Sequence, residues 1–568
     1  MSRRSARRSS PMDVRAVLVL LVVGLIVVLA CCGVANGLLG KLFNRDAPPT
    51  PVTVSGTALT VAYSSEKELT LTELVDKFNA QGLKTPDGER MQVELVQLTP
   101  EKMVNAVLDG SAEFQAMTPD SSVWLEQLDT AWSQARGGNA QVVGETMRYA
   151  VSPVVIAAWE SVARQLGWPD RPVSWGDLLS RAQSDANFRW SHPSTSSASG
   201  LLAVLAEFYA ASGKTRGLSI QDVQSQPNLD YVGALEKTVR FYGEGDEPAL
   251  IERALKEGRN FLDAFVVQEQ MVVYFNTQRE SQERLVAIYP AEGAMWQDHP
   301  LALLETANLT TYQRQVFAGL REYLLSSEAQ QLVLRQGYRP ADYNTPLDSP
   351  ASPLTAENGV DRAEPKTTLQ VPNASVIGVV RDVWWYTKRH TNVYLIADRS
   401  GSMQGEKLDQ AKQALRTFLD QSKGDTERVG LIQFSTSVYT TVPVDELSRN
   451  RAALELAVDQ LEAQGDTALL DAVQEAYEQL RALGDTERIN AIVVMTDGKE
   501  NASYTSLRSL LNELRQNSPT QVVVFCIAYG DDADMNMLQA IAEPSGGQVI
   551  KGDPETIREL YKILSTYF

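Results

Sequence analysis

Residues 393–403 read V-Y-L-I-A-D-R-S-G-S-M, and this stretch decides the fold of the C-terminal third of the chain. An apolar run of strand length stops at Asp398, and Ser400 and Ser402 follow at two-residue intervals. A short apolar run closed by turn residues is the pattern of a strand buried on both faces. Two later segments are built alike. G-D-T-A-L-L-D-A-V at 465–473 places Thr467 just ahead of a helical pattern, and I-N-A-I-V-V-M-T-D-G-K at 489–499 places Asp497 at the end of another buried strand. Working outward, buried strands are predicted at Val393–Ala397, Val429–Phe434, Ala491–Met495 and Val522–Ala528, with an antiparallel edge at Ser437–Val442. Amphipathic helices are predicted at Lys407–Gln421, Ala452–Leu461, Leu469–Leu483, Leu507–Asn517 and Pro554–Tyr567. This alternation predicts an α/β, doubly wound, Rossmann-like sheet with function at the carboxyl ends of its strands. D-D-A-D at 531–534 reads as a solvated turn before a helix. Ser375–Tyr386 reads as a helix that packs Trp384 and Trp385 on the base of this domain.

These segments together resemble the von Willebrand factor A domain, whose signature is D-x-S-x-S, a distant Thr and a distant T-D-G. The resemblance covers residues 393–568 and implies a metal-ion-dependent adhesion site. In it Ser400, Ser402 and Thr467 supply hydroxyls, and Asp398 and Asp497 bind directly or hold coordinated waters. The implied cofactor is Mg²⁺, or Mn²⁺ or Ca²⁺. Hard cations of this kind take all-oxygen ligand sets. An open position on the metal then accepts a carboxylate from a protein partner.

The block from residue 58 to 347 alternates strands and helices in a βαβ rhythm. Leu59–Tyr63 is a short strand run, Met91–Leu98 alternates like a strand, and S-P-V-V-I-A-A at 152–158 is a buried run. Its segments V-A-Y-S-S-E-K-E-L, A-M-T-P-D-S-S-V-W-L, S-P-V-V-I-A-A-W, W-S-H-P-S-T-S-S-A-S-G-L-L-A-V-L and A-I-Y-P-A-E-G occur in an order that resembles the extracellular solute-binding proteins of ABC importers. That resemblance implies a two-lobed, type 2 periplasmic-binding-protein-like domain. Read as chemistry, six hydroxyls lie within residues 190–199, directly before an apolar helix. Free N–H groups and the positive dipole end of a helix start suit an oxyanion or a polar small molecule. Candidate ligand contacts are therefore Ser64, Ser65, Ser121, Ser194, Thr195, Ser196 and Ser197, and the expected solute is small and polar or anionic.

The first 15 residues carry five arginines against one acid, and residues 16–40 contain no charge. As a helix those 25 residues would extend about 37 Å, enough to span a bilayer core. A basic flank stays cytoplasmic, so the expectation is a cell-membrane protein with its bulk on the extracytoplasmic side. V-L-A-C at 28–31 offers a lipoprotein signal with Cys31 lipidated as the alternative anchor. The organisation is then a basic tail (1–15), an anchor (16–40), a linker (41–57), a solute-binding-like domain (58–347), a Pro-rich linker (348–370) and the C-terminal domain (371–568, core 393–568).

Of 568 residues, 52 are Lys or Arg and 71 are Asp or Glu, a net charge of −19. Such acidity argues against nucleic-acid binding, which needs a basic surface. Three cysteines exclude a disulfide framework, and Cys526 reads as a buried core thiol. With three histidines there is little material for a zinc site or a Ser-His-Asp triad, and no enzymatic activity is expected. The functional expectation is a membrane-tethered surface binding protein that joins a solute module to a metal-dependent protein-binding module. The alternative is the substrate-binding component of an ABC-type importer, with the C-terminal domain as its docking module.

Overall fold

The structure is a computed structural model that describes residues 58–138, 140–243, 247–280, 282–422, 426–516, 520–530 and 532–552. The expected anchor (16–40), Cys31 and the helix at 554–567 lie outside the described residues. Among those described, no helix is long and apolar enough to cross a membrane.

Three sheets organise the chain. The first lobe holds β1 (Leu59–Tyr63), β2 (Val93–Gln97), β3 (Ala116–Thr118) and β4 (Val143–Arg148). The second holds β5 (Ala150–Trp159), β6 (Trp190–Pro193), β7 (Tyr242–Gly243), β8 (Ala264–Gln268), β9 (Leu285–Ile288) and β10 (Trp296–Gln297). The chain then returns to the first lobe as β11 (Pro300–Leu304) and touches the second again at β12 (Arg339–Pro340). The first sheet runs β2-β1-β3-β11-β4, and the second runs β10-β5-β8-β6-β7 with β9 and β12 also on β5. Crossings between lobes are thus short: Tyr149 alone joins β4 to β5, and Asp298-His299 joins β10 to β11. Short crossings of this kind are where a two-lobed fold hinges.

The C-terminal sheet comprises β13 (Thr391–Asp398), β14 (Arg428–Phe434), β15 (Val438–Glu446), β16 (Ile489–Thr496), β17 (Val522–Tyr529) and β18 (Val549–Gly552). Its order is β15-β14-β13-β16-β17-β18, parallel throughout except for the β15 edge. Both faces are covered by helices, so β13, β16 and β17 are buried at every position. Cys526 is at the centre of β17, where burial pushes its thiol pKa up. Sequence periodicity misses β18, because V-I-K-G has only two apolar residues.

Two readings change in three dimensions. Residues 348–370 contain no helix or strand, yet Leu354, Val360 and Leu369 are buried. The stretch is strapped to the second lobe, where Gly359 O accepts from Ala287 N and Gln370 O accepts from the Tyr209 hydroxyl at 2.6 Å. Single apolar residues between prolines have no period to read, but each fills a pocket. The helix Ala374–Thr387 forms as expected, but the hydrogen bond and ring contact of Trp384 outside its own helix go to the second lobe and not to the C-terminal domain. It is buried in the second lobe, its indole N–H donating to Glu236 at 2.9 Å and its ring edge-on to Tyr242 at 5.1 Å. From the same helix Arg381 reaches the first lobe, donating to Gln127 at 2.6 Å over the Trp124 ring. One helix therefore touches both lobes before the chain enters β13.

Candidate functional sites: a five-residue oxygen cluster and an interlobe polar cluster

At the carboxyl end of β13 the Asp398 carboxylate is buried. Its two oxygens accept from the Ser400 backbone N–H at 2.7 Å and the Thr496 hydroxyl at 2.5 Å. Burial pushes its pKa up to about 6, against the pull of those hydrogen bonds. The turn after Asp398 aims both serine hydroxyls inward. Ser400 Oγ and Ser402 Oγ are 2.9 Å apart, and Ser402 donates to Asp497 Oδ1 at 2.6 Å. Thr467 arrives from the segment before helix Leu469–Leu483, its N–H fixed by Asn501 Oδ1 at 2.8 Å. A Cβ on Gly498 would lie 3.0 Å from Thr467 Oγ1 and 3.4 Å from Ser402 Oγ, so glycine is what lets these strand ends close on one another. All five residues named from the sequence meet here.

Sequence reading missed Lys407. Its ammonium pairs with Asp497 Oδ2 from the first turn of helix Glu406–Gln421. A cation is disfavoured at a helix N-terminus, and that misplaced charge was the available signal. The donor set fits a hard cation: five side chains, all offering oxygen, with a lysine already supplying positive charge to one of the carboxylates.

The hydroxyls predicted for the middle domain fall into two groups. Ser64 ends β1 and Ser121 follows β3. Both are buried in a polar cluster between the lobes. There Lys67 Nζ donates to Ser64 Oγ and Glu66 Oε1, both at 2.6 Å. From the second lobe Glu247 accepts from the Gln268 amide at 2.8 Å and from the Ser199 hydroxyl, which itself accepts from Gln297 Nε2 at 2.6 Å. His299, in the interlobe crossing, lies 3.0 Å from Gln268 Oε1 and 3.8 Å from Glu66 Oε1. It is the one described non-glycine residue with positive φ, +34°. Ser65 begins the short helical turn beside Ser64. Ser194–Ser197 sit at the start of helix Ala198–Ser212. Ser197 caps Gly200 N at 3.1 Å, and Ser194 Oγ and Ser196 Oγ pair at 2.5 Å. Glu66, Lys67, Asp120, Glu247 and His299 were not singled out from the sequence. Glu66 and Lys67 had a signal in the S-S-E-K run at a strand end, where charge is uncommon in a buried position; Asp120, Glu247 and His299 had none.

Burial, with Glu66 nearby, pushes Asp120 up to about 7. Burial also pushes Glu247 up to about 8, opposed by its bonds from Ser199 and Gln268. Both acids therefore bind protons more tightly folded than unfolded. Between the ordinary carboxylate range near pH 4 and about pH 8 the folded chain holds the extra protons, so stability falls as pH rises through that window. The thermal midpoint of the middle domain should drop by about 5 °C between pH 5.5 and 8.5, equivalent to roughly 3 kcal/mol. Glu247→Gln should flatten the profile in calorimetry. An equally steep profile in that variant would show that the cluster does not carry the effect.

Fold and sites together define a two-lobed α/β domain joined to a doubly wound domain with a cluster of oxygen side chains at the carboxyl ends of its strands. Comparison with known proteins agrees. Residues 59–339 match the family described as bacterial extracellular solute-binding protein, and residues 392–562 match the von Willebrand factor type A domain. The chain thus carries a segment matching each family, a solute-binding-like domain followed by a von Willebrand factor A domain. Human inter-alpha-trypsin inhibitor heavy chain H4 is 28% identical over 248 residues, 42% of this chain. The chain spans only 25% of that relative's length. Among solved structures, iron-bound HitA from Pseudomonas aeruginosa aligns with 57% of this chain and 99% of its own (15% identity, TM-score 0.40). A von Willebrand factor type A protein from Catenulispora acidiphila aligns with 32% of this chain and 43% of its own (23% identity, TM-score 0.28).

Proposed function

We propose that the protein is a membrane-tethered surface receptor, not an enzyme, that captures a protein partner through a divalent cation held in its von Willebrand factor A domain. The observation that carries this reading is the convergence of Asp398, Ser400, Ser402, Thr467 and Asp497 at one edge of the sheet. Mg²⁺ bound there supplies a Lewis-acidic position for a partner carboxylate. The chain's own contribution is to hold three neutral hydroxyls and only two carboxylates in register, so that a bound divalent cation is neutralised but not overcompensated and keeps its affinity for an anionic partner.

The solute-binding domain adds a second input. Three acids, Glu66, Asp120 and Glu247, share the interlobe cluster with one lysine, and an anion entering it would meet their charge wherever they ionise. We infer a small cationic or neutral polar solute in place of the anion suggested by the hydroxyl-rich turn. Arrival of a cation would favour ionised Asp120 and Glu247 and release their protons. The helix Ala374–Thr387, which touches both lobes, is the element through which lobe movement reaches the C-terminal domain.

The test is capture on intact cells. A partner crosslinked to the surface in Mg²⁺ should be lost in EDTA and in Asp398→Ala. Protease added outside should remove nearly the whole chain. Full-length protein recovered from the cytosol, or capture that is indifferent to EDTA, would refute the reading.

A further inference from the structure

Beneath Trp384, inside the second lobe, lies a group of side chains that neither functional site uses. His192 comes from β6, Glu207 from the middle of helix Ala198–Ser212, and Glu236 from the end of helix Gln226–Glu236. All three are fully buried, and each brings one ligand-type atom within 4.8 Å of the other two. Two buried carboxylates side by side are strongly unfavourable without a positive charge between them.

The hydrogen bonding narrows the choice. Glu236 is well supplied: Tyr242 OH donates to Oε2 at 2.6 Å and Trp384 Nε1 to Oε1 at 2.9 Å. Neither Glu207 oxygen receives a bond from a standing N–H or O–H donor, and its carboxyl faces that of Glu236. His192 Nδ1 is 2.7 Å from the Pro193 carbonyl, which can only accept, so the proton resides on Nδ1. The remaining ring nitrogen, Nε2, faces Glu236 Oε2 at 3.3 Å, as a lone pair in the neutral ring or as a second N–H in the imidazolium. In the neutral ring, two acceptors face each other and need something positive between them, either a proton on Nε2 or a metal ion. An imidazole whose far N–H is held by a backbone carbonyl is the arrangement that fixes a metal-binding tautomer. The 3.3 Å spacing is also the edge of a tetrahedron whose ligands lie about 2.0–2.1 Å from its centre.

We propose that His192, Glu207 and Glu236 form a buried structural site for a divalent transition ion of the Zn²⁺ class. A nitrogen and two carboxylate oxygens suit Zn²⁺, Mn²⁺ or Fe²⁺, and Zn²⁺ binds the more tightly of these at such donors. With no ligand atom exposed, the ion is trapped during folding and ties β6 and two helices to the Trp384 helix that leads into the C-terminal domain. Three histidines in the whole chain gave little reason to look for such a centre. Its ligands are 15 and 29 residues apart on separate elements, so no spacing motif marks it.

The competing arrangement is metal-free, with protons on His192 Nε2 and between Glu207 and Glu236, and two measurements separate it from the metal site. Full-length protein purified without chelator or added metal should carry about one equivalent of a transition metal. That metal should survive dialysis against EDTA while folded and leave on unfolding in guanidinium. X-ray absorption should show nitrogen and oxygen neighbours at about 2.0–2.1 Å and no sulfur. Glu207→Gln, a neutral isostere of the protonated acid, should lose the metal and unfold at lower temperature, whereas Asp398→Ala should keep it. Wild-type protein that contains no transition metal, or releases it to EDTA while folded, overturns the proposal. So does a Glu207→Gln protein as stable as wild type. Should Glu207→Gln fail to fold, the wild-type metal content decides alone.

Discussion

In millimolar Mg²⁺ the von Willebrand factor A domain should unfold several degrees higher than in EDTA, and Asp398→Ala should erase the difference. A ligand that binds only the folded state stabilises by about 2.7 kcal/mol at 100 times its dissociation constant. None of that is available to a chain lacking the carboxylate that anchors the Ser400 turn. The size of the shift is set partly by Lys407. Its ammonium neutralises Asp497 in the metal-free protein, so an incoming cation must displace an existing partner. Lys407→Met should therefore move two observables in opposite directions. The metal-free midpoint should fall, because Asp497 is left buried without its counter-charge, and the apparent Mg²⁺ affinity should rise. A merely structural lysine would lower both. Equal midpoints for the wild type in Mg²⁺ and EDTA would sink the metal reading.

The contrast between the two clusters shows what a sequence exposes and what it hides. The oxygen cluster was legible because four of its side chains sit at fixed offsets from the ends of β13 and β16 and the fifth, Thr467, at a helix start. Asp398 and Asp497 close β13 and β16, and a doubly wound sheet brings those ends together. Strand positions were equally legible: β13, β14, β16 and β17 were each placed to within two residues, since buried parallel strands read as unbroken apolar runs. The interlobe cluster was only half legible. Ser64 and Ser121 could be placed at strand ends, but Glu66, Glu247 and His299 meet only because two crossings fold one lobe onto the other. Nothing local predicts which carboxylates that closure will bury. Trp384 failed for a related reason. An amphipathic helix announces that it has an apolar face, not which neighbour will cover it, and here the covering surface lies about 150 residues upstream at Glu236 and Tyr242.

Because that helix is shared, Trp384→Ala should do more damage than its position in a connecting segment suggests. The side chain is 1% exposed, and truncating a buried tryptophan costs about 3–5 kcal/mol. The loss has three parts. Packing against Tyr242 and Trp385 goes, a cavity opens in the second lobe, and Glu236 loses its Nε1 donor. The consequence should spread in both directions. Toward the first lobe, the Arg381 contacts with Gln127 and Trp124 are held only as well as the helix that carries them. Toward the C-terminal domain, Arg389 donates to the carbonyls of Val239 and Thr486, each at 2.9 Å, and so bridges the two modules two residues after that helix ends. Calorimetry of Trp384→Ala should show the solute-binding domain melting earlier and separately from the von Willebrand factor A domain, with faster protease cleavage between residues 361 and 390. Tyr386 lies on the same helix at 82% exposure, so Tyr386→Ala is the control that should leave both transitions in place. If the two variants melt alike, the helix is a passive tether, and solute occupancy has no mechanical route to the metal site.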